Sequence, residues 1–120
     1  MSAISVLVID DDEDFADGIA EILEIEGCEV ALAHSAEEGI AECERGSFDA
    51  VLIDIGLPGM NGVECLARIR QSSPGAHCFL LTGYSADHVT EQGVEAGAVE
   101  ILTKPVEPGE LVRRLRAVVG

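Results

Sequence analysis

Short, nearly continuous apolar runs alternate along this chain with longer stretches in which apolar residues recur every three or four positions. The runs read as buried strands and the periodic stretches as amphipathic helices. Residues 5–9 form the first strand. Phe15, Ile19, Ile22 and Ile25 fall near helical spacing in a helix over 14–26, which Gly27 stops. A second strand covers 29–33. Ser35 then caps a second helix, with Glu38 three residues on completing a capping box. Ala36, Ile40 and Cys43 form the apolar face of that helix, and Gly46 ends it. Residues 49–54 make the third strand, and Gly56-Leu57-Pro58-Gly59-Met60-Asn61-Gly62 is turn chemistry. A third helix over 62–71, a loop at 72–75, a fourth strand over 78–82, a fourth helix over 86–96 and a fifth strand over 99–102 follow. Pro108 suits the first turn of a fifth helix, which carries Leu111, Leu115 and Val118 inward.

Strict strand–helix alternation predicts an α/β domain whose parallel sheet is covered on both faces. The third strand supports this, because Ala50-Val51-Leu52-Ile53 is apolar without a break, as a strand buried on both faces should be. Right-handed crossovers leave few topologies. The expected architecture is a flavodoxin-like three-layer sandwich: a five-stranded parallel sheet in the order 2-1-3-4-5 with five helices. At 120 residues and 48% apolar content, the chain suffices for one core, so 1–120 is expected to be a single domain.

Charge narrows the partners. The formal net charge is −16, from 23 acidic and 7 basic residues, which disfavours nucleic acid and anionic membranes. The run from Ile4 to Ile9 is too short to span a bilayer, and Met1-Ser2-Ala3 lacks the positive start of a secretion signal. Cys28, Cys43, Cys65 and Cys78 are scattered, with no C-x-x-C pair, and read as reduced small apolar residues in a cytoplasmic protein. His34, His77 and His88 are dispersed near element ends and read as surface or partner-contact residues. Arg113, Arg114 and Arg116 lie on the outer face of the last helix, where they either complement its C-terminus or meet a partner.

The chemistry gathers where strands end. The first strand runs into Asp10-Asp11-Asp12, the third into Asp54, the fourth into Thr82, and the fifth precedes Lys104-Pro105, which holds the only lysine of the chain. In an open parallel sheet these ends share one edge, where ligands bind. A nucleotide or flavin binder would carry a Gly- or Ser/Thr-rich loop after the first strand; this chain carries Asp10-Asp11-Asp12-Glu13-Asp14 instead. Phosphate alone would be repelled there, so a hard cation is required. Asp11 and Asp54 can each supply Mg²⁺ with a carboxylate oxygen and Gly56 its carbonyl, with Asp10 acting through water. Asp12 and Asp14 read instead as caps of the first helix.

Four stretches together resemble the receiver domain of bacterial two-component response regulators over the whole chain. They are Val8-Ile9-Asp10-Asp11, the segment from Asp49 through Asp54 to Gly62, Leu81-Thr82-Gly83, and Leu102-Thr103-Lys104-Pro105. The resemblance implies that Asp54 accepts a phosphoryl group and that Asp10, Asp11, Asp54 and the Gly56 carbonyl serve Mg²⁺, with Mn²⁺ as a substitute. It implies that Thr82 and Lys104 hold the phosphoryl group and that Lys104–Pro105 is cis, which is expected to bring the amine within reach of Asp54. The implied donor is a sensor histidine kinase or a histidine phosphotransfer protein. The implied output is a downstream effector protein or a missing effector domain, with a homodimer through the fourth helix, fifth strand and fifth helix. The chain is expected to be a signalling switch, not an enzyme, although it assists its own phosphorylation and dephosphorylation.

Several positions depart from that pattern or qualify it. Receivers usually carry an aromatic residue three before the lysine; here it is Ile101, which shifts the expected output towards the fourth helix. Gly93 softens that helix by roughly 1 kcal/mol relative to alanine. Tyr84, two after Thr82, is a candidate modulator at the site mouth. Three other classes compete. A haloacid-dehalogenase-type phosphatase wants a second acidic residue where Gly56 stands. A flavodoxin-like carrier is disfavoured by the acidic loop. A phosphorylation-independent interaction module would have no use for the full set of site residues.

Overall fold

The computed structural model describes residues 3–83, 95 and 97–119. Five strands alternate with helices in chain order: β1 (Ser5–Ile9), α1 (Glu13–Ile25), β2 (Glu29–Ala33), α2 (Ala36–Arg45), β3 (Ala50–Asp54), α3 (Gly62–Ser72), β4 (His77–Thr82), β5 (Glu100–Thr103) and α4 (Pro108–Val119). The sheet is parallel throughout, in the order β2-β1-β3-β4-β5, as the alternation predicted. Four helices fall among the described residues; the helix expected over 86–96, with His88 and Gly93, falls outside them except for Glu95. No helix among the described residues is long and apolar enough to cross a membrane.

Side chains alternate across the sheet and so divide the core in two. Val6, Val8, Ala50, Leu52, Phe79, Leu81 and Leu102 face one way, against Ala16, Ile19 and Leu23 of α1 and Leu111, Val112 and Leu115 of α4. Leu7, Ile9, Val51, Ile53, Cys78 and Leu80 face the other, against α2 and α3. All five residues of β3 are buried, as expected for the central strand. Cys43, Cys65 and Cys78 are buried free thiols. Burial pushes the Cys65 thiol up to about 12 and Cys78 to about 11, so both behave as apolar filler.

Local signals set the helix ends. The Asp12 side chain accepts the Phe15 N–H and caps α1. The Gly27 N–H donates to the Glu24 carbonyl and the Cys28 N–H to the Leu23 carbonyl, closing a Schellman cap around Gly27 at φ +94°. Ser35 Oγ accepts the Glu38 N–H, but the Glu38 carboxylate reaches past its own cap to accept the His34 N–H instead. Two expectations fail, one about a helix face and one about a strand start. Ile25 is 76% exposed, because the buried stripe of α1 runs through Ala16, Ile19, Ala20 and Leu23, leaving Ile25 on the outer side of the last turn. Strand β5 begins one residue later than expected, with Val99 40% exposed just before it.

Two close approaches fix helices to the sheet. A Cβ on Gly39 would lie 2.2 Å from Ile9 Cδ1, so α2 rests directly on the end of β1. A Cβ on Gly62 would lie 2.6 Å from Ile55 Cα, so the first turn of α3 rests on the backbone just after β3.

Candidate functional site

Strand register brings the reactive residues to one edge. Ile9 is level with Ile53, Asp54 with Leu81 and Thr82 with Thr103. The ladder continues past the strands: the Asp10 N–H donates to the Ala33 carbonyl, the Ile55 N–H to the Leu81 carbonyl and the Lys104 N–H to the Thr82 carbonyl. Asp10, Asp54 and Thr82 are the buried polar residues of the molecule among those described. Asp11 is exposed and Gly56 lies beside Asp54.

Both carboxylate oxygens of Asp10 have a partner. Its Oδ1 accepts the Asp12 N–H at 2.9 Å and its Oδ2 accepts from Lys104 Nζ at 2.8 Å. Lys104 Nζ also lies 3.5 Å from Asp54 Oδ1, which accepts a long hydrogen bond from the Gly56 N–H at 3.4 Å. The Lys104–Pro105 bond is cis, and the amine lies within reach of Asp54, both as expected. Burial first, and then the charge of Asp10, raise the Asp54 carboxyl above its ordinary range; Lys104 and the Gly56 N–H oppose them. Burial works to lower the Lys104 pKa, but the hydrogen bond and charge of Asp10, followed by Asp54, outweigh it and raise it.

Asp10, Asp11 and Asp54 each offer a carboxylate oxygen, and these atoms lie within 4.8 Å of one another. Oxygen donors that close and that acidic suit a divalent cation, whose charge would relieve their mutual repulsion. A family model for the response regulator receiver domain matches residues 6–116.

The chain belongs to the response regulator receiver domain family.

Relatives of this receiver domain agree with it along nearly its whole length. A response regulator receiver protein of Anaeromyxobacter sp. is 39% identical over 100 residues, which cover 83% of this chain and 42% of that protein. A CheY-like receiver domain protein from Methanospirillum hungatei superposes with a TM-score of 0.95 at 36% identity, covering 98% of this chain and 94% of the other. A response regulator from Burkholderia pseudomallei, solved with a phosphorylated aspartic acid, a calcium ion and citrate, gives a TM-score of 0.90 at 30% identity, over 97% of this chain and 68% of that one. The chain spans about half the length of the curated relatives it matches. Receiver domains take a divalent metal at this acidic cluster and act as switches in signalling proteins.

The receiver domain holds two site neighbours that the sequence reading passed over. Phe15, assigned to the apolar face of α1, has its ring centroid 4.3 Å from Lys104 Nζ. His34 Nδ1 lies 3.2 Å from the Asp10 carbonyl oxygen, bracing the loop after β1. A signal for Phe15 was present: it stands on the first turn after the acidic loop, the turn nearest the strand ends. The three arginines of α4 pair within the chain: Arg113 with Glu110, Arg114 with Glu100 and Glu110, and Arg116 with Glu26. Ile101 is half-buried and packs towards the α2–α3 side of the core. Tyr84 lies outside the described residues.

Proposed function

We propose that this receiver domain, residues 1–120 acting as one unit, accepts a phosphoryl group on Asp54 in a Mg²⁺-dependent reaction and thereby switches its protein contacts. The observation that carries the reading is the gathering of three carboxylate oxygens within 4.8 Å, beside the chain's only lysine. An Asp54 carboxylate oxygen forms a bond to phosphorus as the donor's P–N bond breaks, and the donor imidazole takes the departing electron pair and a proton. Asp10, Asp11, Asp54 and the Gly56 carbonyl would hold Mg²⁺, or Mn²⁺ in its place, which when bound supplies positive charge for the phosphoryl oxygens. Lys104 pairs with one of those oxygens, and the Thr82 hydroxyl donates to another. By the same contacts the domain assists its own dephosphorylation.

The donor in this reading is a sensor histidine kinase or histidine phosphotransfer protein in the cytoplasm. The recipient of the signal is an effector protein or an effector domain joined to this one. Output runs through the segment after Thr82, β5 and α4, the surface through which a homodimer would form. With Ile101 packed towards the core in the usual aromatic position, the segment after Thr82 carries more of the change than a side-chain switch does.

The test is chemical. Incubation with a small phosphoryl donor and Mg²⁺ should add one base-labile phosphate to the intact protein. The same adduct on Asp54→Asn would sink the assignment.

A further inference from the structure

Lys104 is held from three sides. Asp10 lies 2.8 Å and Asp54 3.5 Å from its ammonium, and the ring of Phe15 covers a third direction with its centroid at 4.3 Å. The two carboxylates supply attraction, but attraction alone does not fix a four-carbon stem with several rotamers. An aromatic face adds direction, because its electron-rich centre draws the cation over the ring and displaces water from that side. Phe15 is itself well anchored. Its backbone N–H donates to the Asp12 cap at 3.1 Å, and its side chain packs against the cluster formed by β1, β3, α1 and α4.

We infer that Phe15 is a positioning residue for phosphoryl transfer: its ring holds the Lys104 ammonium at the point where it meets the incoming phosphoryl oxygens. The inference rests on the role proposed above for Lys104 and goes beyond it, because a bare apolar neighbour would fill the same space without directing the amine. Leucine at this position keeps the packing of α1 and removes the ring; tyrosine keeps the ring.

The experiment has two readouts on the full chain. With one lysine in the sequence, selective lysine labelling gives a single set of side-chain NMR signals. The Lys104 ε-methylene protons should be shifted upfield by the Phe15 ring in wild type and Phe15→Tyr, and should return to the ordinary lysine position in Phe15→Leu. An ordinary position in wild type overturns the inference, whether or not the protein takes phosphate. The second readout is the rate of phosphorylation by a small donor at saturating Mg²⁺. Phe15→Leu should slow it about fivefold, the factor that ~1 kcal/mol of cation–ring attraction gives, with Mg²⁺ affinity unchanged. Phe15→Tyr should recover most of the rate, and Phe15→Leu should cost nothing further in a Lys104→Met background. An undiminished rate in Phe15→Leu, or the same slowing with Lys104 already gone, overturns the positioning role. A wild type that takes no phosphate removes the proposed function instead, and the Lys104 shift then decides whether the ring holds the amine.

Discussion

Lys104 lies closer to Asp10 than to Asp54, at 2.8 Å against 3.5 Å, and Asp10 has no exposed surface. The lysine therefore does structural duty before any ligand arrives, compensating a carboxylate that cannot reach water. Removing one partner of a buried pair costs more than the pair itself contributes. Lys104→Met should destabilise the metal-free protein by about 2–3 kcal/mol, below the usual ~3–5 kcal/mol for a fully buried pair because the amine is partly solvated. Mg²⁺ should recover much of this loss, so its effect on the melting temperature should be larger in Lys104→Met than in wild type. Equal Mg²⁺ shifts in the two proteins would contradict the compensation.

Asp11 offers a carboxylate to the acidic cluster from an exposed position. Asp11→Ala should thus leave metal-free stability nearly unchanged while removing most of the metal response. In wild type, Mg²⁺ at ~100 times its Kd stabilises by about 2.7 kcal/mol, a rise in Tm of roughly 10 °C. Thermal melts of both proteins across a Mg²⁺ titration check this, and a full shift in Asp11→Ala would remove that residue from the metal set.

The raised Asp54 carboxyl makes metal-free stability depend on pH in a definite direction. The folded protein holds this proton more tightly than the unfolded chain, whose value is the ordinary 3.8. The contribution of Asp54 is complete below that value and is lost as pH rises through the folded-state value. In chelator at pH 7, Asp54→Asn should melt above wild type, and the gap should close as the pH falls towards about 4. A gap that stays constant or widens on acidification would mean that Asp54 is not held up by burial and by Asp10.

Two glycines give opposite outcomes with the same substitution. A Cβ at Gly62 would sit 2.7 Å from the Asp54 carbonyl oxygen, against backbone that cannot swing aside. Gly62→Ala should cost about 1–3 kcal/mol and weaken Mg²⁺ binding by displacing the end of β3. Gly18, in the exposed middle of α1, has nothing within 4 Å of the same added atom. Gly18→Ala should stabilise by about 0.5–1 kcal/mol and leave Mg²⁺ affinity alone. Denaturant unfolding of both variants distinguishes the two.

Signal output has its own signature. With a phosphoryl mimic and Mg²⁺ present, amide exchange should change most from Thr82 through β5 and into α4. The Lys104 N–H, which donates to the Thr82 carbonyl, couples two of these parts. Changes concentrated in α2 and α3 would place the route on the other face of the sheet.

The central strands were legible because burial on both faces demands unbroken apolar runs, and β1 and β3 have them. The edge strand β5 pairs only with β4, so its pattern is mixed; its start, like that of β3, was read one residue early. Ile25 was misplaced because periodicity marks a stripe without saying where the neighbouring layer stops. The small residues Ala16 and Ala20, which let α1 sit close, carried more of the true face. Asp10, Asp54, Thr82 and Lys104 could be located from strand ends alone. Phe15 could be placed near them only by its position on the first turn after the acidic loop; His34 and Gly62 could not be placed, because their importance arises from how closely the β2 end and α3 approach those strand ends.

The alternation of side chains along the sheet has a consequence for lengths. Asp10, Asp54 and Lys104 each stand two residues beyond a member of the α1–α4 core: Val8, Leu52 and Leu102. Thr82 stands two beyond Leu80 of the opposite core. Each strand thus acts as a counter whose parity decides on which side of the sheet its terminal group emerges. A single residue inserted within β1, β3 or β5 would turn that group to the wrong side while leaving composition almost untouched. The same insertion in the loop at 73–76, far from the site edge, would change no parity at all. Among relatives of this chain, gaps should therefore collect in such loops and be missing from the last few residues of every strand.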